Sequence, residues 1–180
     1  YRGRDAKEIR DIVATRLEAG AWTSPRKVHD DQWIMPACPV NGPAVTARGM
    51  QAWVAWYTAA GDVPLLRIAH SSDAGDGFGK PVDLDRGEAV QGRAGIAVEG
   101  ESVWVSWVRE DAQGQSLWLA RYPLDLSREL QRLQVASLQG RGRATGFPQL
   151  VAGQGGVYMT WTDVIDGKPQ LRGARITTSP

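Results

Sequence analysis

Three segments of this chain can be laid under one another, and no other feature constrains the fold as tightly. They are GPAVTARGMQAWVAWYTAAGDVPLLRIAHS, GRAGIAVEGESVWVSWVREDAQGQSLWLARY and GFPQLVAGQGGVYMTWTDVIDGKPQLRGARI. Each opens on Gly and a short apolar run, then a turn with Gly. Next comes an aromatic residue, two residues, and Trp: Trp53 and Trp56, Trp104 and Trp107, Tyr158 and Trp161. A polar turn follows, and then a run closing on Ala and a basic residue: Ala69-His70, Ala120-Arg121, Ala174-Arg175. Equivalent Trp residues recur about every fifty residues, the length of one supersecondary unit in a repeat protein. The eight tryptophans need a lattice, and the repeat supplies it.

Each unit reads as β structure. QAWVAW, SVWVSW and VYMTW alternate and are rich in β-formers. The connectors TAAGDVP, REDAQGQ and DVIDGKP carry Gly, Asp or Pro and read as hairpin loops. Short fourth strands follow in FGKPVDLD and LQRLQVAS. Four antiparallel strands per unit of this length predict propeller blades. A β-sandwich is the competing all-β architecture, and the repeat argues against it. The fold class is therefore all-β, with about three four-stranded blades. Their approximate limits are the end of a blade over 1–35, then 36–86, 87–138 and an incomplete 139–180.

The first twenty residues are ambiguous. Ile9, Ile12, Val13 and Leu17 share one helical face, and Gly20 suits a helix stop. The repeat instead predicts a third strand ending in Thr15-Arg16, a turn at Gly20 and a fourth strand. Strand is preferred there, and likewise over Ser127–Gln134.

Composition excludes several functions. A net charge of +1 with interspersed signs gives no electrostatic case for nucleic acid. No apolar run is long enough to span a bilayer. The single cysteine, Cys38, permits no internal disulfide, and a buried inert thiol is expected. With only His29 and His70, no metal site and no cofactor are expected.

HSSDAGDGFGKPV, from His70 to Val82, falls between a third and a fourth strand. Ser71, Asp73, Gly75 and Phe78 match Ser-x-Asp-x-Gly-x-x-aromatic, which resembles the Asp box of bacterial neuraminidase repeats. An acidic side chain accepts amides of its own turn, Gly supplies positive φ, and the aromatic plugs the gap between sheets. Asp73 is expected as a buried acceptor and a fold marker, on the rim and away from any catalytic centre. The corresponding turns LEAGAW and PLDLSREL are degenerate.

RDIVATRL, GAWTSPRKVHDDQW, CPVNGPAV, VAWYTAAGD and LLRIAHSSDAG together resemble bacterial sialidase-like proteins with BNR repeats, from about Glu8 to Arg175. The resemblance implies a six-bladed propeller with an axial funnel, export to the periplasm or the cell exterior, and an acidic, sialic-acid-like glycan as partner. At three blades the chain is then expected to be part of a longer protein, its missing blades coming from that protein or a partner chain. In the family three arginines bind the substrate carboxylate, a tyrosine paired with a glutamate is the nucleophile, and an aspartate is the acid/base. The family's Phe- or Tyr-Arg-Ile-Pro motif is absent, EIRDI being an echo without Pro. Positions that open inner strands point to the funnel: Asn41, Arg93, Arg143 and Gln149. Arg93 and Arg143 are the candidate anion pair, with solvated loop arginines as the plain alternative. Of Tyr57, Tyr122 and Tyr158, Tyr57 at a strand end is the candidate nucleophile, while Tyr158 fills the Trp53 and Trp104 slot. Two functions remain: part of an exo-α-sialidase-type glycoside hydrolase, or a non-catalytic propeller that binds a glycan or a protein.

Overall fold

The structure, a computed structural model, describes residues 1–153 and 155–177. The strands are β1 (Val13–Ala14), β2 (Leu17–Glu18), β3 (Ala21–Trp22), β4 (Arg26–Lys27), β5 (Ala44–Arg48), β6 (Gln51–Thr58), β7 (Leu65–Ser71), β8 (Val82–Arg86), β9 (Val90–Glu99), β10 (Ser102–Glu110), β11 (Gln115–Pro123), β12 (Gln131–Leu138), β13 (Gln149–Ala152), β14 (Gly156–Ile165) and β15 (Lys168–Thr177). They form antiparallel meanders: β5-β6-β7-β8, β9-β10-β11-β12, and β13-β14-β15. The sheets stack side by side as blades, with the innermost strands β5, β9 and β13 adjacent.

The region that could have been a helix is a hairpin. β1 pairs with β4 and β2 with β3, and the chain reverses at Ala19 and Gly20 with φ of 48° and 84°. Two successive positive φ values make the primed turn that matches strand twist. Chain entry differs from the expectation of a third strand. Tyr1 and Val13 exchange backbone hydrogen bonds, and the Gly3 amide donates to Asp11, so residues 1–3 lie beside the third strand as a second one. Gln131–Leu138 is also strand, and Ser127–Leu130 is irregular.

The aromatic-x-x-Trp spacing explains the stacking. Residues three apart on a strand point to opposite faces. Trp53 faces the blade that follows, packing with Val103, Val105 and Trp107, while Trp56 faces the hairpin before it, packing with Ile12 and Val28. Trp104 packs with Val157, Met159 and Trp161 of the next blade, and Trp107 turns back toward Trp53. All four of these inner rings are at most 1% exposed. The Ala-basic signature is the cross-strand partner of the first aromatic: Trp53 opposite His70, Trp104 opposite Arg121, Tyr158 opposite Arg175. The His70 ring stacks on Trp53 at 5.1 Å, and the guanidiniums of Arg121 and Arg175 lie 5.5 and 5.6 Å from their aromatic rings.

The second Trp makes an additional hydrogen bond. Trp56 Nε1 donates to Asp31 at 2.7 Å, and Trp107 Nε1 donates to Asp85 at 2.6 Å, each carboxylate coming from the end of the preceding blade. Arg67 and Arg109 neutralise these buried aspartates at 2.5 and 2.6 Å. A buried carboxylate paired and hydrogen-bonded in this way acts as a clamp between blades.

The Ser71–Phe78 turn lies at the end of the blade where β7 finishes. Asp73 Oδ1 accepts the Gly77 amide at 2.9 Å and the Ser71 hydroxyl at 2.8 Å, and Ser71 Oγ accepts the Gly75 amide at 2.8 Å. Gly75 has φ of 90°, and Phe78 packs against the Ile12, Val28 and Trp56 cluster between the hairpin and the first full blade. Asp73 itself is exposed rather than buried, because its partners are amides of an outward-looping turn. The Gly77 amide, then the Ser71 hydroxyl, holds its carboxyl below the usual range. Cys38, expected inside, is exposed in the connection between the hairpin and β5. Among the described residues no helix is long and apolar enough to cross a membrane.

Candidate functional site

The opposite end of the blades collects the starts of the inner strands and the ends of the second strands. Asn41, Tyr57 and Arg93 meet there, though they lie far apart in sequence. Asn41 precedes β5, Tyr57 ends β6, and Arg93 opens β9.

Arg93 sits in a bulge. Gly95 pairs with Ser106 and Gly92 with Val108, so Arg93 and Ala94 face Trp107 as an extra residue. Gly92 and Arg93 both have positive φ, 71° and 56°. Position 92 must be glycine for a second reason: a Cβ there would lie 2.7 Å from Tyr57 Cβ and 3.1 Å from the Asn41 amide. Asn41 holds the bulge in shape. Its Oδ1 accepts the Arg93 amide at 3.0 Å, and its Nδ2 donates to the Gln91 carbonyl at 3.0 Å. Both halves of the Asn41 amide are therefore committed to backbone.

Arg2 fixes Asn41 in turn. Its guanidinium donates to the carbonyls of Asn41 (3.0 Å), Tyr57 (2.6 Å) and Arg10 (2.6 Å), and lies 4.7 Å over the Trp33 ring. Burial pulls its pKa down to about 10. Trp33 meets Tyr57 edge-on at 5.7 Å. Sequence reasoning missed Arg2 and Trp33, which contact carbonyls and rings rather than a motif.

The Arg93 side chain crosses to the next blade. Nη1 donates to Thr145 Oγ1 at 2.8 Å and to the Gly146 carbonyl at 3.0 Å, and Nη2 donates to the Gly142 carbonyl at 2.7 Å. It is 8% exposed. Burial lowers its pKa, with Glu110 opposing and Arg143 adding to the fall. Arg143 is exposed, and its side chain has no hydrogen-bond or ion-pair partner among the described residues. So the two candidate arginines are neighbours with different duties. One is committed to a loop and the other is free.

Tyr57 is half-buried. Desolvation raises its pKa, and the nearby Glu88 carboxylate adds to the rise, so its phenol is neutral at ordinary pH. The other two candidate tyrosines are engaged: Tyr122 donates to Glu129 at 2.8 Å, and Tyr158 stacks with Arg175. Gln149 begins β13, and its side chain donates to the Phe147 carbonyl at 3.1 Å. Between the inner strands lies a depression of about 330 Å³, bordered by Pro43, Ala94, Ile96, Phe147 and Gln149. Among the described residues no three His, Cys, Asp or Glu side chains converge as a metal site.

No protein-family model matches the sequence, and no curated protein matches it. Solved structures do. The phage phi92 endosialidase superimposes with a TM-score of 0.57 and 11% identity, over 77% of this chain and 27% of that one. The GH43 endo-arabinanase from Bacillus licheniformis gives 0.52 and 13%, over 97% and 70%. A thermostable family-43 glycoside hydrolase gives 0.51 and 13%, over 76% and 50%. At such identities the likeness concerns the fold, and the fold is a β-propeller. The chain spans about half of the family-43 hydrolase and about a quarter of the endosialidase.

Proposed function

We propose that this protein is a glycan-active propeller of the sialidase type, working on acidic sugars at the end where Tyr57, Arg93 and Arg143 gather. The observation that carries the reading is that a half-buried tyrosine, Tyr57, lies against the Arg93 bulge at the same end of the blades as an uncommitted arginine, Arg143. A carboxylate that takes the phenol proton turns tyrosine into a nucleophile, and an arginine supplies the fork a sugar carboxylate needs. Structural neighbours described as an endosialidase and as family-43 glycoside hydrolases support a carbohydrate ligand. The Ser71–Phe78 turn supports assignment as the Asp box of a BNR repeat. With that assignment go a six-bladed whole, the missing blades supplied from outside this segment, and a place in the periplasm or outside the cell.

A non-catalytic glycan-binding propeller is the second reading, favoured by one observation. Arg93, half of the expected anion pair, directs both terminal nitrogens at a loop. A fluorogenic sialoside assay on the full-length protein separates the two. The hydrolase reading expects turnover that falls by about 100-fold or more in Tyr57→Phe. Sialoside binding without turnover selects the second reading, and neither binding nor turnover removes both.

A further inference from the structure

We propose that Arg93 is a positioning residue, which folds the Gly142–Phe147 segment into a platform offering Phe147 to the face of a sugar ring and Arg143 to that sugar's carboxylate. The ligand class rests on the glycan reading above, while the platform itself rests on geometry.

The segment is short and polar, with a single turn of 3-10 helix over Gly142–Thr145 that has no side-chain cap. Its internal bonds are few, the Gly146 amide to the Arg143 carbonyl at 3.1 Å and the Thr145 hydroxyl against the Gly142 carbonyl at 3.2 Å. Its order comes from the preceding blade. Arg93 ties down the carbonyls of Gly142 and Gly146 and the Thr145 hydroxyl. Thr145 Oγ1 donates to Gln115 Oε1 at 2.5 Å, and the Gly142 amide donates to Glu110 Oε2 at 3.0 Å. Thr145 is 2% exposed, so the inner side of the loop is sealed. The outer side is open. Phe147 is 49% exposed and borders the axial depression, with the Arg93 guanidinium 5.9 Å from its ring centroid.

An aromatic ring with one open face suits the C–H face of a pyranose. Arg143, four residues before it, is the free cation beside it. Arg93 cannot offer an anion its end-on pair of nitrogens, since Nη1 and Nη2 both donate to the loop.

The test combines two readouts on the wild type and on Arg93→Lys, Thr145→Val, Arg143→Gln and Phe147→Ala. Each is kept at a temperature where circular dichroism shows it folded. The first is titration with N-acetylneuraminic acid and with its methyl ester. The second, on the proteins that keep Arg143, is the rate of tryptic cleavage after that residue. Arg143→Gln should weaken the acid by about tenfold and leave the ester unchanged, because it removes one charge-assisted hydrogen bond to the carboxylate. Phe147→Ala should weaken both ligands. Arg93→Lys keeps the charge but loses the planar fork that reaches the loop from two nitrogens. It should weaken both ligands and speed cleavage several-fold, and Thr145→Val should do the same without altering any charge. Loss of the acid alone in Arg93→Lys would make Arg93 a direct anion ligand and overturn the proposal. So would cleavage at the wild-type rate in both Arg93→Lys and Thr145→Val. If the wild type binds neither ligand, the sugar platform falls with the glycan reading, and the cleavage rates still decide what Arg93 does to the loop.

Discussion

The two ends of the first full blade solve the same problem with opposite means. At each, short polar side chains satisfy backbone groups where strands stop. In the Ser71–Phe78 turn, Ser71 and Asp73 do so locally, their bonds spanning four residues or fewer, while Asp76 pairs with Arg16 of the preceding hairpin at 2.8 Å. The Asn41 end does so across the molecule: Arg2 to Asn41, Asn41 to Arg93, and Arg93 to Thr145 span 39, 52 and 52 residues. The turn's long-range bonds reach the adjoining hairpin and its own blade, and so stabilise one corner. A chain of bonds through the hairpin and three blades fixes the relative positions of loops that no single blade could place. That is what a site built between blades requires, and it argues for the Asn41 end as the functional one.

The sharpest way to break this comparison is to remove what both ends share, the clamp between blades. Asp85→Ala leaves the Trp107 indole and the Arg109 guanidinium without their buried acceptor. It should cost about 3–5 kcal/mol in denaturant unfolding, since breaking one side of a buried pair strands the other. A loss under 1 kcal/mol would show that the blades hold by apolar packing alone. Asn41→Ala should cost about 1–3 kcal/mol, because it leaves the Arg93 amide and the Gln91 carbonyl unsatisfied at a positive-φ bulge. Asp73→Ala should cost clearly less than Asn41→Ala in the same titration, because the carboxylate is exposed and water can replace it. An equal or larger cost would invert the ranking of the two ends.

Acid sharpens the same contrast. The folded-state pKa of Asp73 is depressed, so its contribution is complete above the unfolded value near 4 and fades as pH falls through the folded one. Exchange of the Gly77 amide should accelerate in that acid window, relative to its intrinsic rate, before the Arg93 amide responds, because Asn41 does not titrate. Arg143→Gln is the smallest change. An exposed side chain without a partner should alter stability by no more than about 0.5 kcal/mol. Any fall in acidic-sugar affinity in that variant therefore reports the arginine's own interaction with the sugar, with the fold unchanged.

How much of this was legible in the sequence follows the same division. The Trp53/Trp56 spacing, the hairpin turns and the Ser71–Phe78 turn are short-range patterns, and each predicts its structure. The spacing that put Asn41 and Arg93 at inner-strand positions and Tyr57 at a strand end was also visible, because the repeat fixes the strand ends. What Arg93 does there was not: its acceptors are carbonyls of residues 142 and 146, and any sequence supplies carbonyls. The Asp31 and Asp85 clamps carry only a faint signal. Val28-His29-Asp30-Asp31 and Val82-Asp83-Leu84-Asp85 share Val-x-x-Asp at the end of a fourth strand, and the third unit breaks the pattern with Val135-Ala136-Ser137-Leu138. Arg2 gave no signal, since it acts from the edge of the first repeat, where the alignment has nothing to compare.

Amide hydrogen exchange on the wild type, Asn41→Ala and Asp73→Ala tests the central claim most directly. The account predicts that Asn41→Ala speeds exchange at Gly92 and Arg93 and also across residues 142–147, some fifty residues further on. It predicts that Asp73→Ala speeds exchange only within residues 73–77. Changes in Asn41→Ala that stop short of residue 142, or changes in Asp73→Ala that reach the Arg93 bulge, would contradict it.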